Sequence, residues 1–188
     1  MDCLDLLTAD HNRVRGLFKR FKDAESSEDM ETMKLVTAKI VEELQIHMAI
    51  EEEIFYPAIK PESDEVKDTV LEGVEEHHVA KHIVDELAQM EPNGEEWAAK
   101  VKVLIEAVEH HADEEEEEMF KEVRKETSED QRVALGEQLA ARKLELGAPP
   151  PPIDLTKAEL EELAKNQEIP GRSKMGKEEL ALTVDPRG

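Results

Sequence analysis

Two short stretches of this 188-residue chain limit its fold more than any others. In His111-Ala-Asp-Glu-Glu115 a histidine is followed four positions later by a carboxylate, so on a helix both side chains share one face, a turn apart. Leu104, Val108, His111, Glu115 and Met119 fall on that stripe. His47-Met-Ala-Ile-Glu51 repeats the spacing on Ile40, Leu44, His47, Glu51 and Ile54. Both pairs occupy positions where apolar core residues are expected, and burying them without partners is costly. A shared metal site would explain both.

The rest of the chain supplies further inward histidines. Residues 3–24 repeat Leu4, Leu7, His11, Val14, Phe18 and Phe21 at bundle-helix spacing, with His11 at a core position. A second helix is expected from about Met30 to Ile59, capped by Ser27 or Asp29, limited by Pro61, and kinked or ended near Phe55 by Pro57. A third, capped by Ser63 or Asp64, runs to about Met90 and places Val70, Val74, His77, Ala80, Val84 and Leu87 on one face. His78 and His82 fall towards its edge. Pro92-Asn-Gly94 marks a turn, and a fourth helix covers roughly Glu95 to Lys125, with His111 preferred over His110 as the inward residue. Four long helices joined by short polar turns read as an all-α, antiparallel up-down four-helix bundle.

Composition agrees. Aromatics are 3% of residues, so the core is aliphatic, which favours packed helices. Asp and Glu outnumber Lys and Arg by 47 to 24, and a net charge of −23 argues against binding nucleic acid or an anionic membrane over the whole surface. The single cysteine, Cys3, forms no intramolecular disulfide or thiolate cage. The N-terminus has no basic n-region or long apolar h-region and no segment is long enough to span a bilayer, so the expected location is cytoplasmic, without a membrane partner.

In chain order the inward polar residues are His11, His47, Glu51, His77, His111 and Glu115. His11 and His47 are 36 positions apart and His77 and His111 are 34 apart, so the two halves are near-repeats of one helical hairpin. Four imidazoles and two carboxylates exceed a structural zinc site. They suit two iron-type ions, with imidazole as terminal donor and carboxylates able to bridge. Ferritin-like bundles need two Glu-x-x-His motifs, and only Glu75-x-x-His78 has that spacing.

The segments DHNRV around His11, HMAIEEEIFYP around His47, EEHHVAKH around His77 and HADEEEEEMF around His111 together resemble the hemerythrin-like, HHE cation-binding family over roughly residues 3–127. The resemblance implies a non-haem di-iron centre, with two Fe ions joined by an oxo or hydroxo bridge. His11, His47, His77 and His111 would be terminal ligands, and Glu51 and Glu115 bridging carboxylates. Two departures from the oxygen-carrying members stand out. Lys81 occupies the position one turn after His77 where those members have a second histidine, and the final motif ends in Glu115 rather than aspartate. His78 and His82 would restore a His-x-x-x-His motif if the helix were rotated, so Lys81 against His82 stays open. An open coordination position favours reaction with peroxide, nitric oxide or O2 over carriage of intact O2. Tyr56 is read as a packing residue in preference to a redox partner.

A fifth helix is expected over 128–146, with Val133, Leu135, Leu139 and Leu144 available to pack, which makes 1–147 one bundle domain. Residues 148–152, Ala-Pro-Pro-Pro-Pro, form a stiff linker. Beyond it 153–188 reads as a helix-loop-helix module, similar to the small modules at the start of transcription termination factor Rho and to SAP-like motifs. Such modules often touch nucleic acid, but this one has six Lys/Arg against eight Asp/Glu, so docking or stabilisation is the preferred role. The functional expectation is a di-iron protein that binds or reacts with O2, hydrogen peroxide or nitric oxide in oxidative or nitrosative stress, with any enzymatic activity being consumption of peroxide or NO. The alternative is an iron, oxygen or redox sensor signalling through its C-terminal module to a protein or nucleic acid.

Overall fold

A computed structural model describes residues 1–60 and 63–187, and no strand occurs among the described residues. Pro61, expected to limit the second helix, lies outside them. Helix α1 spans Cys3–Ser26, and Asp2 caps it by accepting from the Leu4 amide at 2.9 Å. Helix α2 comprises Met30–Ile50, a π-helical turn Glu51–Phe55 and a last turn Tyr56–Ile59. Of its two candidate caps, Asp29 accepts from the Thr32 amide, whereas Ser27 closes α1. Helix α3 spans Asp64–Gln89 under a Ser63 cap. Helix α4 comprises Gly94–Glu114, a second π turn Glu115–Met119 and Phe120–Glu126. Helix α5, Glu129–Glu145, starts at a reciprocal capping box between Ser128 and Gln131.

Helices α1 and α2 pack as one pair and α3 and α4 as the other, giving the helical bundle the periodicity predicts. All six periodic positions of α1 are buried, His11 included. The interruption expected near Phe55 takes the form of a π turn, and the helix resumes through Pro57. The proline ring sits within the first positions of the next helical turn, where its missing N–H matters least. Ile54, expected inward, is only half-buried, whereas Phe55 and Tyr56 are buried.

The core consists of two apolar clusters. One gathers Phe18, Phe21, Ile40, Leu44, Trp97 and Leu104; the other gathers Leu4, Ile50, Phe55, Met119, Phe120 and Leu139. Each large side chain so buried stabilises the fold by about 1.5–3 kcal/mol. The six polar residues of the sequence pattern occupy the layer between the clusters, on helices that are anchored above and below it.

Helix α5 departs from expectation in one respect. Leu144 is half-exposed, and its neighbour Lys143 is buried instead, against Asp10 of α1. Beyond the proline segment lie α6 (Lys157–Asn166), a 3-10 turn (Arg172–Lys174) and α7 (Lys177–Thr183), which share a small core around Leu160, Ile169 and Leu180. This module sits on α1. Arg13 donates from Nε to the Thr183 carbonyl at 2.8 Å and also to the Leu182 carbonyl, while Arg187 pairs with Glu42 of α2 at 2.8 Å. Gly16 permits the approach, since a Cβ there would lie 2.6 Å from the Gln167 carbonyl oxygen. No helix among the described residues is long and apolar enough to cross a membrane.

Candidate metal centre

The periodic polar residues meet in a closed ring. His11 and His47 face each other Nε2 to Nε2 at 3.1 Å, and His77 faces His111 at the same distance. Glu51 links the pairs on one side, its Oε2 lying 3.2 Å from His47 Nε2 and 3.3 Å from His77 Nε2. Glu115 links them on the other, with Oε2 at 3.3 Å from His11 Nε2 and 3.8 Å from His111 Nε2. One donor group is thus His11, His47, Glu51 and Glu115, and a second is Glu51, His77 and His111. The structure leaves His78, His82 and His110 on the surface.

A carboxylate lies on the Nδ1 side of each imidazole and is hydrogen-bonded to three of them, His47 Nδ1 having no hydrogen bond. Glu116 is 2.8 Å from His11 Nδ1, Glu52 is 2.9 Å from His77 Nδ1 and Glu76 is 2.7 Å from His111 Nδ1. Asp10 approaches His47 Nδ1 at 3.5 Å. A carboxylate accepts hydrogen bonds, so it holds the proton on Nδ1 and leaves Nε2 with its lone pair turned to the centre. This outer arrangement is what metal-ligating histidines require. Three carboxylates carry a further cation: Arg15 on Glu116 at 2.8 Å, Lys81 on Glu52 at 2.6 Å, and Lys143 on Asp10.

The electrostatics are only partly relieved without a cation. Both oxygens of Glu51, and Oε2 of Glu115, lack a hydrogen-bond partner although both residues are buried. Burial and the nearby Glu115 carboxylate push Glu51 well above the usual carboxylate range. Burial disfavours a charged His11, yet Glu115 and Glu116 outweigh it and raise it to about 9, so a proton there does part of a cation's work. His77 goes the other way, to about 3, through burial and the neighbouring His111 and His47. Imidazole nitrogens and carboxylate oxygens crowded at 3.1–3.8 Å in a buried layer fit bound cations, and these buried groups could hold metal ions.

The two π turns start at Glu51 and Glu115 and place an aromatic beside the ring in each half. A residue five positions beyond the glutamate would lie roughly 140° around an α-helix, and the wider turn swings it back. Tyr56 thereby stacks over His77, with centroids 5.5 Å apart, and Phe120 over His11 at 6.0 Å. The Tyr56 hydroxyl donates to Glu115 Oε1 at 2.9 Å, so this residue belongs to the site and is more than packing. Gly73 makes room for it, since a Cβ there would sit 2.9 Å from that hydroxyl. Asp10, Lys143 and Arg15 escaped the sequence reading, and Tyr56 was read there as packing. Only the Glu-x-x-x-x-aromatic spacing, shared by both halves, could have pointed to Tyr56.

Residues 2–123 match the family described as the hemerythrin HHE cation-binding domain. A protein of Nostoc sp. (strain PCC 7120) named DNA nickase is 27% identical over 143 residues. That alignment takes in 76% of this chain but 39% of the relative, so the chain spans about two fifths of that protein's length. No solved structure matches it.

Proposed function

Since this chain belongs to the hemerythrin HHE cation-binding family, we propose that it is an iron protein of the di-iron kind. In this reading His11 and His47 would hold one ion and His77 and His111 the other, with Glu51 and Glu115 as the carboxylate donors between them. It binds or reacts with O2, hydrogen peroxide or nitric oxide, with a role in oxidative or nitrosative stress. The observation that carries the reading is the ring of two facing imidazole pairs joined by two carboxylates. Such ions, when bound, would supply redox electrons and an open coordination position for a small ligand.

The chain's own residues define what reaches the centre. An apolar cavity of about 20 Å³, bordered by Val14, Phe18, Leu44, Ala80 and Val108, adjoins all four histidines. That volume suits one molecule the size of water or a diatomic. Lys81 is held on Glu52, at 2.6 Å from each carboxylate oxygen, so it orients His77 from behind and does not replace a ligand. With His82 exposed, no fifth imidazole joins the ring among the described residues, which supports reaction over carriage. Tyr56 keeps a proton beside Glu115, because burial and the Glu51 and Glu115 carboxylates raise its hydroxyl well above the ordinary range. Addition of peroxide to aerobically purified protein tests this. Bleaching or gas evolution that is lost in His111→Ala supports turnover, and inertness of an iron-loaded protein rejects it.

A sensor reading rests on a separate observation. Arg13 is held by carbonyls of the C-terminal module, pairs with Glu43 at 3.0 Å and lies 3.9 Å from Asp10, the carboxylate behind His47. Changes at the ring would reach the module through that chain. Protease sensitivity of residues 148–152 that is identical with and without metal would exclude it. A nicking activity like that named for the Nostoc relative draws little support, given the short share of that protein and the charge of −23.

A further inference from the structure

Three of the four outer carboxylates are neutralised by a lysine or arginine, and the fourth is not. Glu76, behind His111, has no such partner among the described residues. Its other oxygen instead faces outward, 3.9 Å from His110 Nε2, and His110 Nε2 lies 3.1 Å from Glu114. The ligand atoms of Glu76, His110 and Glu114 lie within 4.8 Å of one another. A cavity of about 40 Å³ between α3 and α4 is lined by Glu72, Glu76, Glu114 and Glu118 together with His111 and Glu115. Glu115 is 2% exposed and its Oε2 has no hydrogen-bond partner. Glu76 and Glu114 of the surface cluster thus line the same cavity as His111 and Glu115 of the buried ring.

We infer that Glu76, His110 and Glu114 form an outer cation site that captures a divalent first-row metal ion and delivers it through this cavity to the ring. The inference rests on the metal-centre reading. Nitrogen and oxygen donors together suit ferrous or manganous ions better than calcium or magnesium. Glu76 is the shared element: it faces the outer site with one oxygen and holds His111 with the other. On the other three sides a fixed cation behind the ring would repel an incoming metal ion.

The test compares the full chain with His110→Ala/Glu114→Gln, neither residue being part of the ring. Glu137→Gln, exposed on α5, controls for surface charge. Each protein is freed of metal with a chelator and mixed anaerobically with ferrous iron alone, and uptake is followed to completion. The double variant is expected to fill to the wild-type content, but roughly tenfold more slowly, the scale of electrostatic focusing. Glu137→Gln should load at the wild-type rate. The iron-loaded wild type should also bind one further manganous ion, seen by electron paramagnetic resonance, and the double variant should not. Equal loading rates, with added manganese left free by the loaded wild type, would overturn the inference alone. If the wild type takes up no iron, the metal-centre reading fails and the outer site falls with it.

Discussion

His77 and His111 meet Nε2 to Nε2 at 3.1 Å, and each has its Nδ1 against a carboxylate. Burial and the neighbouring imidazoles push His77 down to about 3, so it stays uncharged in this buried layer. Metal removal should therefore destabilise the chain, by about 2.7 kcal/mol at a metal concentration a hundredfold above Kd. In metal-free protein His77→Leu should melt higher than wild type, since it replaces a buried polar imidazole with an apolar side chain, and it should gain nothing from added metal. Thermal melts with and without iron measure both.

The opposite titration of His11 sets the pH dependence. Its pKa in the folded, metal-free chain is about 9, above the ordinary 6.5, once Glu115 and Glu116 overcome burial. A raised histidine contributes stability that is full below about pH 6.5 and lost as pH rises through about 9. Ligation requires His11 to be unprotonated, so the metal-bound chain does not share that loss. The stability gap between the two forms should widen from pH 6.5 to 9, by up to about 3 kcal/mol. A gap that stays constant over that range would contradict this role for His11.

Tyr56 and Gly73 should be energetically coupled. Tyr56→Phe removes the donor to Glu115 and should cost about 1–3 kcal/mol. Gly73→Ala puts a Cβ 2.9 Å from the same hydroxyl, so it should destabilise the wild type. In the Tyr56→Phe background the alanine keeps only the contacts at 3.4 Å to the aromatic ring and 3.5 Å to His111, and costs much less. A double-mutant cycle by denaturant unfolding should give an interaction of about 0.5–3 kcal/mol, and strict additivity would refute the contact.

What the sequence carried and what it hid divide along the helix period. The ring was legible because His and Glu four apart on an apolar stripe are anomalous wherever they occur, and the choice of His77 over His78 and His82 followed from the same stripe. The π turns were not legible. A period of 3.6 carried past Glu51 predicts Ile54 inward, and the wider turn brings in Phe55 and Tyr56. Lys143 and Asp10 are 133 positions apart, and Arg13 and Thr183 170 apart, so no local pattern announces either contact. Leu144 misled for a related reason: α5 turns Lys143 inward to meet a buried carboxylate.

Gly16 separates bundle stability from docking of the C-terminal module. Gly16→Ala favours helix α1 by about 1 kcal/mol, but its Cβ would lie 2.6 Å from the Gln167 carbonyl. Limited proteolysis should show faster cleavage at residues 148–152, while the bundle remains as resistant as before or more so. Unchanged cleavage would mean that the module does not rest on α1 as described.

Metal content of the purified full chain tests the central claim most directly, with the same assay on Glu51→Ala and His111→Ala. Glu51 lies between His47 and His77, within both donor groups, so its loss should affect both ions. The expected result is about two irons per wild-type chain, with content falling sharply in each variant. A wild type that binds no metal, or variants that keep the full wild-type content, would contradict it.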